Sequence, residues 1–138
     1  MEVINQVVPT MERAMEFFGG VEDGPFVMVN LLKYKPHAEY EDGSDAHLTG
    51  AEAYARYGEA VRELVTALGG RVRYSSTVTG LMLGEVEELW DAVALAEYPS
   101  LAAFRQMAMS PEMHAIEHHR KAGLAGQLNI RTKPAEGF

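Results

Sequence analysis

Four segments of the chain carry the hydrophobic patterns of β-strands. Residues 25–33 form an almost unbroken apolar run, which is typical of a strand buried on both faces. Residues 71–83 alternate with a period of two, which predicts a strand with Val72, Tyr74, Ser76 and Val78 on one face. Two further strands are predicted over residues 90–98, which Pro99 ends, and 127–133.

Helical spacing separates these strands. Thr10 precedes a short predicted helix over residues 10–18. Thr49 and Glu52 have the spacing of a capping box and open a helix with an apolar stripe that ends at the glycine pair 69–70. Ser100 and Ser110 each precede a further helical stretch, and the second continues to about residue 122.

The order of these elements predicts the fold. After the short first helix the chain reads strand, helix, strand, strand, helix, strand. That is the ferredoxin-like βαββαβ arrangement, an α+β fold with a four-stranded antiparallel sheet and helices on one face. We expect an N-terminal helix and linker over residues 1–24, the ferredoxin-like domain over 25–133 and a flexible tail over 134–138.

The first strand also predicts a partner. Its side chains are apolar on both sides, so the sheet face without helices also favours burial. A second copy of the chain is the simplest cover, and we predict a homodimer that forms a dimeric α/β barrel.

Composition narrows the classes of function. The 138 residues carry a net charge of −8 and no cysteine, which excludes disulfides and thiolate metal sites and disfavours nucleic acid as a partner. Residues 1–10 lack the pattern of a signal peptide, and no apolar run reaches the roughly 20 residues of a membrane span. We therefore expect a cytoplasmic protein with no membrane partner.

Several motifs resemble one family, the bacterial domain of unknown function 1330, within the dimeric α/β-barrel superfamily. The resemblance covers residues 25–133 and is carried by Met28-Val29-Asn30-Leu31-Leu32-Lys33, Ala53-Tyr54-Ala55-Arg56-Tyr57, Gly69-Gly70, Glu97-Tyr98-Pro99-Ser100, Phe104, Ser110-Pro111-Glu112 and Arg120-Lys121-Ala122-Gly123-Leu124. It implies the fold and leaves the chemistry open, because the superfamily includes cofactor-independent monooxygenases, muconolactone isomerases, chlorite dismutases and haem-degrading enzymes. In such folds small molecules usually bind between helices and sheet.

Three polar residues are candidate catalytic groups. His119 and Arg120 flank the inward face of the last helix, where a histidine can act as a base and an arginine can hold an anion. Asn30 lies in the middle of an apolar strand and is either a satisfied structural amide or a donor into a pocket. The alternative for the first two is structural, with Arg120 paired to a carboxylate and His119 capping a carbonyl.

Aromatic residues are candidate ligand contacts. Trp90 and Tyr98 are predicted to share a strand face with three alanines, 92, 94 and 96, which leave space for a pocket or for a closely packed helix or partner sheet. Tyr54 and Tyr57 are predicted to be mostly core, with hydroxyls that can face a ligand.

Metal and haem sites are less well supported. His114 and His118 have i, i+4 spacing but are predicted to face water, and two histidines alone do not complete a zinc site. The resemblance to haem-degrading proteins implies an asparagine at Asn30 and a histidine near His118 or His119. Their tryptophan position is Tyr98 here, so we expect no cofactor.

The sequence therefore supports three functions. The first is a dimer that binds a small apolar or aromatic molecule, with monooxygenase- or isomerase-like activity left open. The second is a non-catalytic dimeric binding or assembly module, and the third is haem binding or degradation.

Overall fold

The computed structural model describes residues 1–20 and 24–135. Its elements, in chain order, are α1 Met11–Phe18, β1 Phe26–Tyr34, α2 Gly50–Ala67, β2 Arg71–Thr77, β3 Ala92–Tyr98, α3 Leu101–Ala108, α4 Pro111–Gly123 and β4 Leu124–Thr132. The strands form one antiparallel sheet in the order β2-β3-β1-β4. The predicted ferredoxin-like α+β fold is confirmed.

The predicted helix starts depend on capping side chains. The Thr49 hydroxyl accepts a hydrogen bond from the Glu52 amide, and the Glu52 carboxylate accepts one from the Thr49 amide, which completes the capping box. The side chains of Thr10, Ser100 and Ser110 likewise accept a backbone hydrogen bond at the starts of α1, α3 and α4.

All helices pack against one face of the sheet, the helix face. On β1 this face carries Phe26, Met28, Asn30 and Leu32, which alternate with residues on the other side. The main core lies between this face and the helices, and its buried members are Phe26, Met28, Val65, Tyr98, Leu101, Met107 and Met113.

The opposite face of the sheet, here called the open face, has no helix of the described residues against it. Its apolar residues are Val27, Val29, Leu31, Tyr74, Val93, Leu95, Leu128 and Ile130, and Ser76, Glu97 and Thr132 lie on the same face. Most of these side chains are half-buried, while Tyr74 and Ile130 remain 58% and 44% exposed.

Strand β2 differs from the prediction. It ends at Thr77, and the register shifts between Val72 and Tyr74, so that Val72 lies opposite Ala96 and Tyr74 lies opposite Leu95. Adjacent residues of β3 point to opposite faces, so this bulge separates Val72 and Tyr74, for which the alternation predicts a shared face.

Two other predicted boundaries move. Trp90 lies before β3, which begins at Ala92, and β4 begins at Leu124, directly after α4. In the predicted N-terminal region, the Gln6 amide donates to the Gln127 carbonyl at 3.2 Å, so this segment lies along β4. Residues 21–23 of the predicted linker and 136–138 of the predicted tail lie outside the described residues.

Candidate functional site

A chain of side-chain hydrogen bonds links α4 to the middle of the sheet. Arg120 Nη2 donates to Gln127 Oε1 at 2.6 Å, and Gln127 Nε2 donates to Asn30 Oδ1 at 2.7 Å. Asn30 Nδ2 lies 3.3 Å from the Ala94 carbonyl oxygen. Asn30 is therefore on the helix face, and the structure brings together two of the three predicted catalytic residues.

The chain path positions these hydrogen bonds. Helix α4 ends at Gly123 and β4 begins at Leu124, so no loop separates Arg120 from Gln127. Gln127 pairs with Leu32 in the sheet register. It therefore lies on the same sheet face as Asn30, which is two residues before Leu32 on β1. Because Gln127 is buried, with 8% of its surface exposed, its amide holds both neighbours without competition from bulk water.

A close approach of two helices brings tyrosines toward Arg120. A Cβ atom on Gly123 would lie 2.4 Å from the Gly50 carbonyl oxygen and 2.8 Å from the Tyr54 amide nitrogen. Only a residue without a side chain fits at this contact between α2 and α4. The contact packs the first turns of α2, which carry Tyr54, against the end of α4.

Three phenols lie in this region, of which Tyr98 is buried and Tyr54 and Tyr57 are half-buried. The Tyr54 and Tyr57 ring centroids are 5.5 Å apart. Burial raises the pKa of both hydroxyls, and the nearby positive charge of Arg120 acts in the opposite direction on each pKa. Burial also raises the pKa of Tyr98, and the proximity of Tyr57 adds to that effect.

These hydroxyls have few partners. The Tyr57 hydroxyl donates to Met113 Sδ at 3.8 Å, and a thioether is a weak acceptor. Over residues 1–20 and 24–135, neither the Tyr54 nor the Tyr98 hydroxyl forms a hydrogen bond. The Tyr54 and Tyr98 hydroxyls each keep an unused hydrogen-bond donor within the described residues.

Arg120 also lacks a counter-ion. It is half-buried, and no carboxylate of the described part of the chain forms an ion pair with it. Its partner is the neutral amide of Gln127. The alternative prediction, in which Arg120 pairs with a carboxylate, is therefore wrong for the described residues.

His119 lies in a separate cluster, on the outer side of α4. Its Nδ1 atom is 2.6 Å from the Tyr40 hydroxyl, whose loop packs on α4. Arg56 Nη1 lies 3.4 Å from the same hydroxyl and 2.9 Å from Asp45. Partial burial lowers the pKa of His119, and the nearby charges of His118 and Arg56 add to this effect.

The other predicted ligand contacts divide between core and surface. Tyr98 is 5% exposed and stacks on Phe104 with ring centroids 4.4 Å apart. Trp90 lies at the opposite end of β3, where its indole nitrogen donates to Asn5 Oδ1 at 2.9 Å. Tyr54 thus lies near Arg120 and Tyr98 lies in the core near Tyr57, whereas Trp90 lies apart from them.

An open cleft of about 740 Å³ lies elsewhere, at the C-terminal end of β1. The ammonium group of Lys33 is 3.4 Å from Asp91, and that of Lys35 is 2.9 Å from Glu39, so both lysines of the cleft are paired. None of the three predicted catalytic residues lines it.

The other two histidines of α4 lie at the surface. His114 and His118 are exposed, and no group of three histidine or acidic residues within residues 1–20 and 24–135 is placed to hold a metal.

Among the helices of those same ranges, none has the length and hydropathy to cross a membrane.

Sequence reasoning missed Gln127 as a member of the site. The strand pattern predicts Gln127 only as the first residue of a strand. A second polar residue on the sheet face that carries Asn30 is the signal that could have identified it. Tyr57 is predicted together with Tyr54, and their i, i+3 spacing on α2 explains why the two rings lie side by side.

The fold and the comparisons define the class of protein. A dimeric protein of unknown function with a ferredoxin-like fold from Bacteroides fragilis matches with a TM-score of 0.52 at 14% identity, over 80% of this chain and 96% of the other. At that identity the likeness shows the fold alone.

The family follows from further matches. The family model described as domain of unknown function DUF1330 matches residues 44–132. The RPA0582 protein of Rhodopseudomonas palustris, a protein of unknown function, is 36% identical with a TM-score of 0.86, over 97% of this chain and 100% of the other. A methylated form of RPA0582 matches at 37% identity and a TM-score of 0.87, over 96% of each chain. The chain belongs to the DUF1330 family, and no curated protein matches it.

Proposed function

We propose that this protein binds a small aromatic or apolar acid between its helices and its sheet, with Arg120 holding the acidic group. The observation that carries the proposal is the half-buried guanidinium without a carboxylate partner in the described chain. A partly desolvated positive charge gains most from an anion that reaches it, and a guanidinium can bind a carboxylate through two parallel hydrogen bonds.

The surroundings of Arg120 support this class of ligand. The Tyr54 and Tyr98 hydroxyls have no hydrogen-bond partner in residues 1–20 and 24–135, and each can donate to a carboxylate oxygen. Aromatic rings surround the same region, with Tyr34 and Tyr54 centroids 5.6 Å apart. A flat apolar body with one acidic group matches both features.

Binding is the part of the function that these contacts support. A reaction would add a base, for which His119 is the candidate, as in a cofactor-independent oxygenase or isomerase. In the structure the His119 ring contacts Tyr40 and His118, in a cluster separate from the hydrogen bonds that join Arg120 to Asn30. The proposal therefore does not include a catalytic step.

Calorimetric titration with benzoate tests the binding site. We expect benzoate to bind the wild-type protein, benzamide to bind much more weakly because it lacks the charge, and Arg120→Met to lose benzoate binding. Arg62→Met on the exposed side of α2 is the matched control and should bind as the wild type does. Equal binding of benzoate and benzamide, or full binding by Arg120→Met, would contradict the proposal; no binding at all would favour the assembly module.

We also propose that the protein acts as a homodimer joined through the open face. The chain exposes 9375 Å², whereas a folded monomer of 15.2 kDa exposes about 7,100 Å² by the usual scaling of surface with mass. The excess of about 2,300 Å² is well above the roughly 800 Å² that each partner contributes to a standard interface. Much of the open face is apolar, so it supplies the surface that such an interface needs.

Sedimentation velocity tests the dimer. Val29 lies on the open face at the centre of the sheet, and Val29→Lys should give a folded monomer where the wild type sediments as a dimer. Met109→Lys, at an exposed methionine after α3, is the control and should remain dimeric. A wild type that is monomeric at all concentrations would refute the assignment.

A further inference from the structure

The connection between β2 and β3 forms a projecting segment, residues 79–89, here called the arm. Its two ends are joined where the Val78 amide donates to the Asp91 carbonyl at 2.8 Å. Lys33 fixes the same end from β1, since its ammonium group donates to the Leu89 carbonyl at 3.1 Å and lies 3.5 Å from Glu88. The arm therefore leaves the domain from a fixed base.

The tip of the arm carries three consecutive large apolar side chains. Leu81, Met82 and Leu83 are 52%, 102% and 87% exposed. None of them belongs to the core clusters formed by the described residues. Gly84 follows with φ +91°, a left-handed conformation that glycine adopts without strain and that ends the apolar run with a turn.

A run of this kind on a fixed projection is typical of a surface that is buried in an assembly. Single exposed apolar residues are common, whereas three adjacent ones on one tip form a patch that favours a partner. The rest of the arm carries Glu85, Glu87 and Glu88, and the whole chain has a net charge of −8. These charges oppose docking on an anionic lipid surface, so a protein surface is the better match.

The excess exposed surface of the chain favours a second copy of the same chain as the partner. The chain exposes about 2,300 Å² more than a compact monomer of its mass, and the arm contributes to that excess. The arm also joins β2 and β3, two strands of the sheet that carries the open face. A second copy of this chain would cover both the tip of the arm and the open face.

We propose that the tip of the arm, Leu81-Met82-Leu83, packs against a second copy of the chain and forms part of the homodimer interface. This inference rests on the homodimer proposed above. The contact is reciprocal in a two-fold dimer, so each interface buries two tips.

Crosslinking tests the contact directly because the chain has no cysteine. Met82→Cys, labelled with benzophenone maleimide, would be studied in dimers exchanged between ¹⁴N and ¹⁵N protein. We expect crosslinked peptides that join light and heavy chains. Met109→Cys, which is 70% exposed and lies outside the arm, is the control and should give none. A dimeric sample in which Met82→Cys crosslinks only within its own chain would overturn the inference.

Sedimentation equilibrium separates this inference from the homodimer itself. The triple variant Leu81→Ser, Met82→Ser, Leu83→Ser should raise the dimer dissociation constant by roughly 100-fold or more, with an unchanged circular dichroism spectrum. A wild-type dimer that the triple variant leaves unchanged would refute the role of the arm alone. A wild-type monomer would refute the homodimer, and the role of the arm with it.

Discussion

Replacing Gly123 by alanine tests the helix contact on which the proposed site depends. The added Cβ atom would lie 2.4 Å from the Gly50 carbonyl oxygen and 2.8 Å from the Tyr54 amide nitrogen. Ordinary contacts of a Cβ atom begin at 3.4 Å, so α2 and α4 would have to separate by about 1 Å at this point. Both neighbours are backbone atoms, which cannot move away by a change of rotamer.

The expected cost is at the upper end of the range for overpacking, about 3 kcal/mol of unfolding free energy. For a domain of this size that corresponds to a fall of about 10 °C in melting temperature. Benzoate affinity should fall as well, because separation of the helices moves Tyr54 away from Arg120. The first quantity is measured by urea unfolding and the second by calorimetry.

Gly58→Ala is the matched control. Gly58 lies within the same helix α2, and a Cβ atom added there would meet no other atom within 4 Å. Alanine at this position should stabilise the protein by about 0.5–1 kcal/mol, because it is the better helix former. Equal stability of Gly123→Ala and the wild type, measured beside a stabilised Gly58→Ala, would refute the close contact between α2 and α4.

Two further predictions concern pH. Burial raises the pKa of Tyr54, Tyr57 and Tyr98 above the value in the unfolded chain. Their contribution to stability is therefore complete below about pH 10 and is lost as the pH rises further. In an ultraviolet titration these three tyrosines should ionise only when the protein unfolds. Burial lowers the pKa of His119, so its contribution is present above about pH 6.5 and is lost as the pH falls. His119→Asn should therefore make the stability of the protein depend less on pH on the acid side, and an unchanged dependence would contradict this. Tyr40→Phe should lower the free energy of unfolding at neutral pH by about 1 kcal/mol, because the hydrogen bond to His119 is lost.

Most of the fold could be predicted from the sequence because the signals were local. Strand β1 is a long apolar run, and the capping box of α2 depends on residues three apart. The bulge in β2 was missed because it comes from the register against β3, which alternation within one strand does not report. The pattern includes Trp90 in β3 for the same reason, since hydrophobicity alone does not mark where pairing begins.

The site was only partly predictable. Arg120 and Asn30 stand out as polar residues in apolar patterns, but Gln127, which joins them, depends on the pairing of β4 with β1. The side on which the His119 side chain lies was predicted wrongly, because a helical wheel places it beside the inward face of α4. In the structure the side chain contacts Tyr40, which comes from the loop before α2. Contacts between distant segments decide both cases, and a single sequence does not encode them in its periodicity.

A crystal structure of the protein soaked with 4-bromobenzoate would test the proposed binding site most directly. We expect a bromine anomalous peak between the helices and the sheet, with the carboxylate on the Arg120 guanidinium and within hydrogen-bond distance of the Tyr54 or Tyr98 hydroxyl. An interior that stays closed at saturating ligand, or a peak only in the cleft beside Lys33 and Asp91, would contradict the proposal.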